Sequence, residues 1–232
     1  MAAFIGTMSG GGAGLISLFT LLAMGLPINQ AIATNKFGDL GFFLPALRNL
    51  TKAQQVKKKA LPAIILINVI GATIGTLLIA HLNADVLRKV VAVILAVIII
   101  SSLARKGYAT TERPARRYWP FIYFATSVSA GAVGAGTGIL STLTLMYFRG
   151  FTALQSMTNS FYANMFGWTL SVGILLFTDL INYRYGLALL IGNIIGAHFG
   201  SKIAIKKGNG FVRIMIMLLA ILVVFQLIFI KN

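Results

Sequence analysis

The sequence predicts an all-α protein that crosses a membrane several times, built from two copies of one unit. Three observations carry that prediction. The composition is too apolar for a water-soluble globule, the charges are confined to stretches between long uncharged runs, and the second half of the chain repeats landmarks of the first. Of 232 residues, 58% are hydrophobic and 10% charged, with a mean hydropathy of +0.88. A soluble domain carries about 25% charged residues. Residues 1–35, 61–80, 118–148, 150–178 and 214–230 hold no charge at all, and about 20 apolar helical residues cross a hydrocarbon core. The net charge of +16 would suggest a nucleic-acid partner on its size alone. Its confinement to the segments between apolar runs points instead to loops beside a lipid bilayer, with no nucleic acid.

Eight apolar segments follow one another. The first, 2–24, is interrupted by Gly10-Gly11-Gly12-Ala13-Gly14, too dense in glycine for a regular helix, since each glycine costs about 1 kcal/mol. The second, 30–47, contains Thr34, Asn35, Lys36 and Asp39. The third, 60–80, sets Gly71 and Gly75 on one face. The fourth, 86–104, follows Asp85, which reads as an N-cap or first-turn acid. After a polar stretch, 105–117, the fifth segment, 119–148, is broken at Gly134-Ala135-Gly136-Thr137-Gly138. The sixth, 152–177, holds Thr158 and Asn159. The seventh, 185–201, carries Gly192, Gly196 and Gly200, and the eighth runs over 211–230.

The second four segments repeat the first four. Gly10 to Leu15 matches Gly134 to Ile139 at an offset of 124, and Thr34-Asn35 falls on Thr158-Asn159 at the same offset. One residue later in phase, Asn68-x-x-Gly71-Ala72-x-x-Gly75 matches Asn193-x-x-Gly196-Ala197-x-x-Gly200, and Arg88 falls on Arg213. The repeats are residues 1–110 and 111–232. Basic residues gather at 48–59, 105–117 and 202–213, and basic loops stay on the cytoplasmic side. An eight-pass serpentine would put 202–213 opposite the other two. If the first segment of each repeat is a broken or re-entrant hairpin, each half crosses an odd number of times. The repeats are then inverted, all three basic loops share the cytoplasmic side, and both termini lie outside.

The remaining composition removes several function classes. There is no cysteine, so disulfides, thiolate catalysis and Cys-ligated metals are excluded. Two histidines and four carboxylates, widely scattered, leave little for a metal or an acid–base pair. No nucleophile elbow, His-Glu-x-x-His helix or phosphate loop is present. The chain is expected to be no enzyme and to need no cofactor. Residues 1–14 lack a basic start and are expected to belong to the mature chain.

The Gly-rich run followed twenty residues later by Ala31-x-Ala33-Thr34-Asn35-Lys36, the Gly-x-x-x-Gly helices and Ala84-Asp85-Val86-Leu87-Arg88 resemble the TauE/SafE sulfite exporter family, also called toluenesulfonate uptake permeases. The resemblance covers nearly the whole chain and both repeats, and is nearest the branch described only as probable membrane transporters. It implies secondary transport of small sulfur-containing anions such as sulfite, sulfoacetate or other sulfonates. The family's proline about five residues after each Gly cluster is replaced here by Phe19 and Leu143.

Each motif has a structural and a functional reading. Gly71, Gly75, Gly192, Gly196 and Gly200 recur every four residues and read as close helix contact. Gly10, Gly11, Gly12, Gly14, Gly134, Gly136 and Gly138 read as broken helices whose free N–H groups and dipoles bind an anion. Thr34, Asn35, Thr158 and Asn159 either make interhelical hydrogen bonds or converge as donors on one substrate at the repeat interface. Lys36 either complements that anion or pairs with Asp39, three residues on. Asp39 is the sole acid inside a spanning segment and hence the one candidate proton carrier. His198 reads as a packed or interfacial histidine, Trp119 as a membrane-boundary residue and Trp168 as core. The reading that gathers these is a secondary transporter of a small anion, with its site near midplane between two repeats. An anion channel using the same residues and a non-transporting scaffold stay open, as does the oligomeric state.

Overall fold

The computed structural model describes residues 2–53, 55–78, 110–134 and 136–229, and all regular structure among them is helical. The expected fourth segment, with His81, Asp85, Arg88 and the first part of the polar stretch, lies outside the described residues. The glycine clusters do what their density predicts. Helix α1 (Ala2–Met8) ends at a turn over residues 9–12 and reverses into α2 (Ala13–Ala23). The arms lie so close that a Cβ on Gly6 would sit 2.3 Å from the Cβ of Ala13. Helix α3 (Ile28–Lys52) follows Pro27, and α4 (Leu61–Leu78) follows a short loop.

The second half starts with α5 (Trp119–Val133), which turns at Gly134 and Gly136 into α6 (Thr137–Thr144) and a π-helical turn, Leu145–Arg149. This too is a hairpin. Its ends are tied together by Arg116 N–H donating to Phe148 O (2.9 Å) and Arg113 N–H to Gly150 O (2.8 Å). Helix α7 (Ala153–Leu175) opens on a capping box legible in the sequence: Thr152 and Gln155 each bond the other's backbone N–H. Helix α8 (Tyr183–Phe229) is broken at Gly208, whose φ of 78° and ψ of −174° redirect the chain. The seventh and eighth segments expected from the sequence are the two arms of this element, joined by a single glycine rather than by a loop.

Contacts between elements fix their directions. The loop after α3, the 110–117 segment, the start of α7 and the break in α8 meet at one end. There Lys57 pairs with Glu112, Gln155 Nε2 donates to Glu112 (2.8 Å) and Leu154 N–H donates to Asn209 Oδ1 (2.9 Å). The three basic segments therefore share one end of the molecule. At the other end, Asn182 N–H donates to Thr34 Oγ1 (2.9 Å). Helix α3 runs parallel to the first arm of α8, with Gly38 against Leu189 and Asn49 bonded to Ser201 (2.8 Å). Helix α1 follows that arm too, with Gly196 against Ala3 and Phe4, and Gly200 against Phe4 and Thr7. Hairpin α1–α2 thus points its turn toward the basic end, and hairpin α5–α6 points its turn away from it. The two open in opposite directions.

The two halves of the chain exchange helices. Helix α4 packs on α5 and α7, while α8 packs on α1 and α3. Small residues permit this closeness: a Cβ on Gly75 would lie 2.0 Å from Val128 O, and one on Gly131 would lie 2.0 Å from Ala72 O. Gly192, expected on the same packing face as Gly196 and Gly200, has nothing within 4 Å. It sits one turn nearer the opposite end, beyond the reach of the short helix α1.

Polarity is distributed inside out. Thr7, Ser17, Thr34, Asn35, Lys36, Asp39, Asn68, Asn159, Asn164 and Asn193 are buried. Leu66, Ile70 and Ile74 on α4, and Ile191, Ile195 and Phe199 on α8, recur at helical spacing on the outside. An apolar exterior of that extent marks a surface that meets lipid. Among the described residues, Tyr183–Leu219 meets the length and hydropathy of a membrane-crossing helix, and Leu61–Leu77 is shorter and apolar.

Candidate functional site

The site grows out of the two glycine turns. Gly10 and Gly11 have φ of 73° and 111°, and Gly134 and Gly136 have φ of 73° and 78°. Side chains with a Cβ rarely adopt these values. The turns bring the hairpins into direct backbone contact at the centre of the molecule. A Cβ on Gly11 would lie 2.9 Å from Gly138 Cα, and one on Gly138 would lie 2.9 Å from Gly11 O. Thr142 Oγ1 of the second hairpin donates to Gly10 O of the first (2.8 Å) and shares a 2.8 Å hydrogen bond with Ser160 Oγ. Helices α2 and α6 both start here, at Gly12 and Gly136, with no side-chain cap. The first N–H groups of a helix lie outside its ladder and carry the positive end of its dipole; in α6, Thr137 N–H and Ile139 N–H make long local bonds to Gly134 O (3.4 Å) and Gly136 O (3.2 Å). Two such ends come from opposite directions to one buried place. Gly12 packs against Leu219 and Ile139.

Beside the crossing lies a small, largely apolar cavity lined by Gly11, Ala13, Gly14, Gly138, Asp39, Asn164 and the rings of Phe42, Phe43, Phe161 and Trp168. The rings interlock edge to face, with centroids 5.4 Å apart for Phe42–Phe43, 4.8 Å for Phe42–Phe161 and 5.9 Å for Phe43–Trp168. Its two polar side chains are related by the repeat. Asn193 Nδ2 donates to Asp39 Oδ1 (2.9 Å), and Asn68 Nδ2 donates to Asn164 Oδ1 (2.9 Å). An offset of 125 carries Asn68 onto Asn193, Asp39 onto Asn164 and Phe43 onto Trp168. Asn35 Nδ2 adds a longer bond to Asp39 Oδ2 (3.3 Å).

The ion pair weighed for Lys36 and Asp39 is not made. Lys36 is fully buried and its ammonium donates to Gly131 O and to Thr76 Oγ1 (3.4 Å), while its stem lies against Gly134. A cation there faces the carbonyl end of α5, where the dipole is negative. Asp39 lies on the side of α3 that meets α8, so its partners are amides.

The two Thr-Asn pairs are not brought together. Thr34 accepts from Asn182 N–H at one end of the molecule. Asn159 Oδ1 accepts from Lys57 N–H (3.1 Å) at the other, and its Nδ2 donates to Gln155 O (2.7 Å) and Gln55 O (3.4 Å). Thr158 Oγ1 bonds back to Leu154 O (2.7 Å). Antiparallel placement of α3 and α7 explains this: positions six residues into each helix fall near opposite ends. Of the expected polar donors, Asn35 touches the cavity wall through Asp39, and Lys36 touches the turn of the second hairpin.

The model of the family described as sulfite exporter TauE/SafE matches residues 1–227. The chain belongs to the TauE/SafE family. Curated relatives of the whole chain carry transporter names. A "Probable membrane transporter protein" of Haemophilus influenzae is 25% identical over 99% of this chain and 91% of its own. "Probable membrane transporter protein ORF9" of a Sinorhizobium species is 26% identical over 98% and 88%, and "Probable membrane transporter protein YfcA" of Escherichia coli K12 is 27% identical over 95% and 83%. No solved structure matches. Membership makes this a membrane protein of a transport family with a small-molecule substrate. For this TauE/SafE chain, the sequence reading matched Asn68 with Asn193 but missed Asn164 and the hydrogen bonds by which Asn68 reaches Asn164 and Asn193 reaches Asp39. It took Trp168 as core, and the ring is indeed buried in the main hydrophobic cluster while also lining the cavity. The signal lay in the register: between Asn35 and Asp39 the offset changes from 124 to 125, which aligns the acid with an amide and Phe43 with the tryptophan.

Proposed function

We propose that this chain is a secondary transporter of a small sulfur-containing oxyanion, either sulfite, sulfoacetate or another organosulfonate. It works by alternating access, as a multi-pass protein of the cell membrane. The observation that carries this reading is the meeting of two uncapped helix starts, α2 and α6, at the Gly11–Gly138 crossing. Half-helix N-termini at midplane supply N–H donors and a positive dipole to an anion that has shed its water. Gly10, Gly11, Gly12, Gly14, Gly134, Gly136 and Gly138 act through their backbones, and Lys36 holds the second turn in place. Asn35 steadies Asp39 on the cavity wall, while Thr34 and Asn159 fasten the loops before α8 and α4, and Thr158 bonds back within α7. Residues 1–110 and 111–232 are inverted repeats. Because they exchange helices, the bodies that rock are α1–α3 with α8 on one side and α4–α7 on the other.

The test is uptake of labelled sulfite and sulfoacetate into proteoliposomes. Concentration against a gradient, with trans-stimulation by unlabelled substrate inside, is the expected result. Flux that only dissipates a gradient makes the protein a channel, and no flux of either anion removes the transport reading.

A further inference from the structure

Trp168 is 6% exposed, and its indole Nε1 has no hydrogen-bond acceptor among the described residues. Buried donors seldom go unpaired, and leaving one so is costly. The ring lines the central cavity together with Gly11, Gly14 and Gly138, beside the starts of α2 and α6. Everything else about the residue is satisfied: its ring stands edge to face with Phe43, which occupies the equivalent place in the first repeat. Packing alone is served by phenylalanine at one of these two positions. The N–H at the other is buried and unpaired among the described residues.

Resting on the transport reading above, we propose that Trp168 is a substrate-binding residue whose Nε1–H donates to an oxygen of the bound oxyanion. The donor complements the helix N-termini, which offer backbone N–H groups to the same charge. It also makes the site asymmetric, because Phe43 offers none. The anion is then held by its oxygens in a cavity of about 20 Å³ that must widen at Phe42, Phe43 and Phe161 to admit it.

The chain has two tryptophans, so Trp119→Phe leaves Trp168 as the sole indole. With that residue labelled by nitrogen-15, titration with sulfoacetate and with sulfite reports on one N–H resonance. The resonance is expected to move downfield and saturate with the substrate that the proteoliposomes transport. Trp168→Phe keeps a ring against Phe43 and removes the donor. Its apparent Kd for that anion should rise roughly 10- to 150-fold, the loss of one buried hydrogen bond to a charged group. An indole resonance that stays put while the Trp119→Phe protein transports either anion overturns this assignment and leaves the transport reading standing. Unchanged affinity in a folded Trp168→Phe protein does the same. A chain that binds and moves neither anion overturns both.

Discussion

At the residue scale, two acids separate legible from illegible detail. Asp39 stood out in the sequence as an acid inside an apolar run, but its partners did not. Lys36 three residues away was the natural candidate, yet neighbours on a helix share a face only approximately, and each here meets a different bundle. What Asp39 needs is shown by its repeat counterpart, where Asn164 fills the same place and accepts from the same kind of amide. Asp39→Asn is therefore expected to fold and to match or exceed the wild type in thermal stability. A buried carboxylate with no cation within 4 Å among the described residues is replaced by a neutral isostere. A melting temperature several degrees lower would show that the charge itself holds α3 to α8. Glu112 lies outside the membrane helices, and there the sign of a pH effect can be worked out. Hydrogen bonds from Lys57 and then Gln155 hold its carboxyl below the usual range. Its contribution to docking the 110–117 segment is present above the ordinary carboxylate value of about 4.3, and is lost as pH falls through the lower folded value. Hydrogen exchange of that segment should rise in acid for the wild type relative to Glu112→Gln at each pH. The difference should shrink in high salt, which screens exposed pairs.

At the scale of elements, the glycines were read in two classes, and both are present in the fold. Dense clusters make hairpin turns, and four-residue spacing makes close helix contact. Density is visible in sequence because no regular helix tolerates it. A contact also depends on whether a partner helix reaches that far, which spacing cannot show, and Gly192 is the result. These two kinds of position predict opposite outcomes. Gly75→Ala places a methyl 2.0 Å from Val128 O and must push the α5 arm away. A cost of about 1–3 kcal/mol is expected, as for overpacked cores. Gly192→Ala meets open space and should be neutral or stabilising by up to about 1 kcal/mol through helix propensity. Thermal unfolding in detergent of the two variants side by side checks this. Equal effects would mean that the α4–α5 contact yields. The break of α8 at one glycine was also beyond the sequence, because a basic run from 202 to 213 reads as a loop when its helical phase continues on both sides of Gly208.

At the scale of the whole molecule, charge placement and the repeat lead to one arrangement of the chain across the bilayer. Hairpins that turn back inside the protein change the parity of each half. With that change, segments 48–59, 110–117 and the Gly208 break come to the same end, as the bonds from Lys57, Gln155 and Leu154 require. In the proposed topology that end faces the cytoplasm, in line with the positive-inside rule. Because the chain has no cysteine, single cysteines report sidedness without a background. Lys58→Cys, Ala115→Cys and Lys207→Cys should react with a membrane-impermeant maleimide only after the cytoplasmic face is opened. Met24→Cys, between α2 and α3, and Asp179→Cys, between α7 and α8, should react from outside in intact cells. All five positions are exposed, so silence at one would come from the membrane rather than from burial. Lys207→Cys carries the most weight, since an eight-pass serpentine puts it opposite Lys58 and Ala115 whereas paired re-entrant hairpins put all three together. Labelling of Lys207→Cys from outside while Lys58→Cys stays protected would mean that at least one glycine hairpin spans the bilayer. The crossing of Gly11 and Gly138 could then not be the point where two half-helices meet an anion.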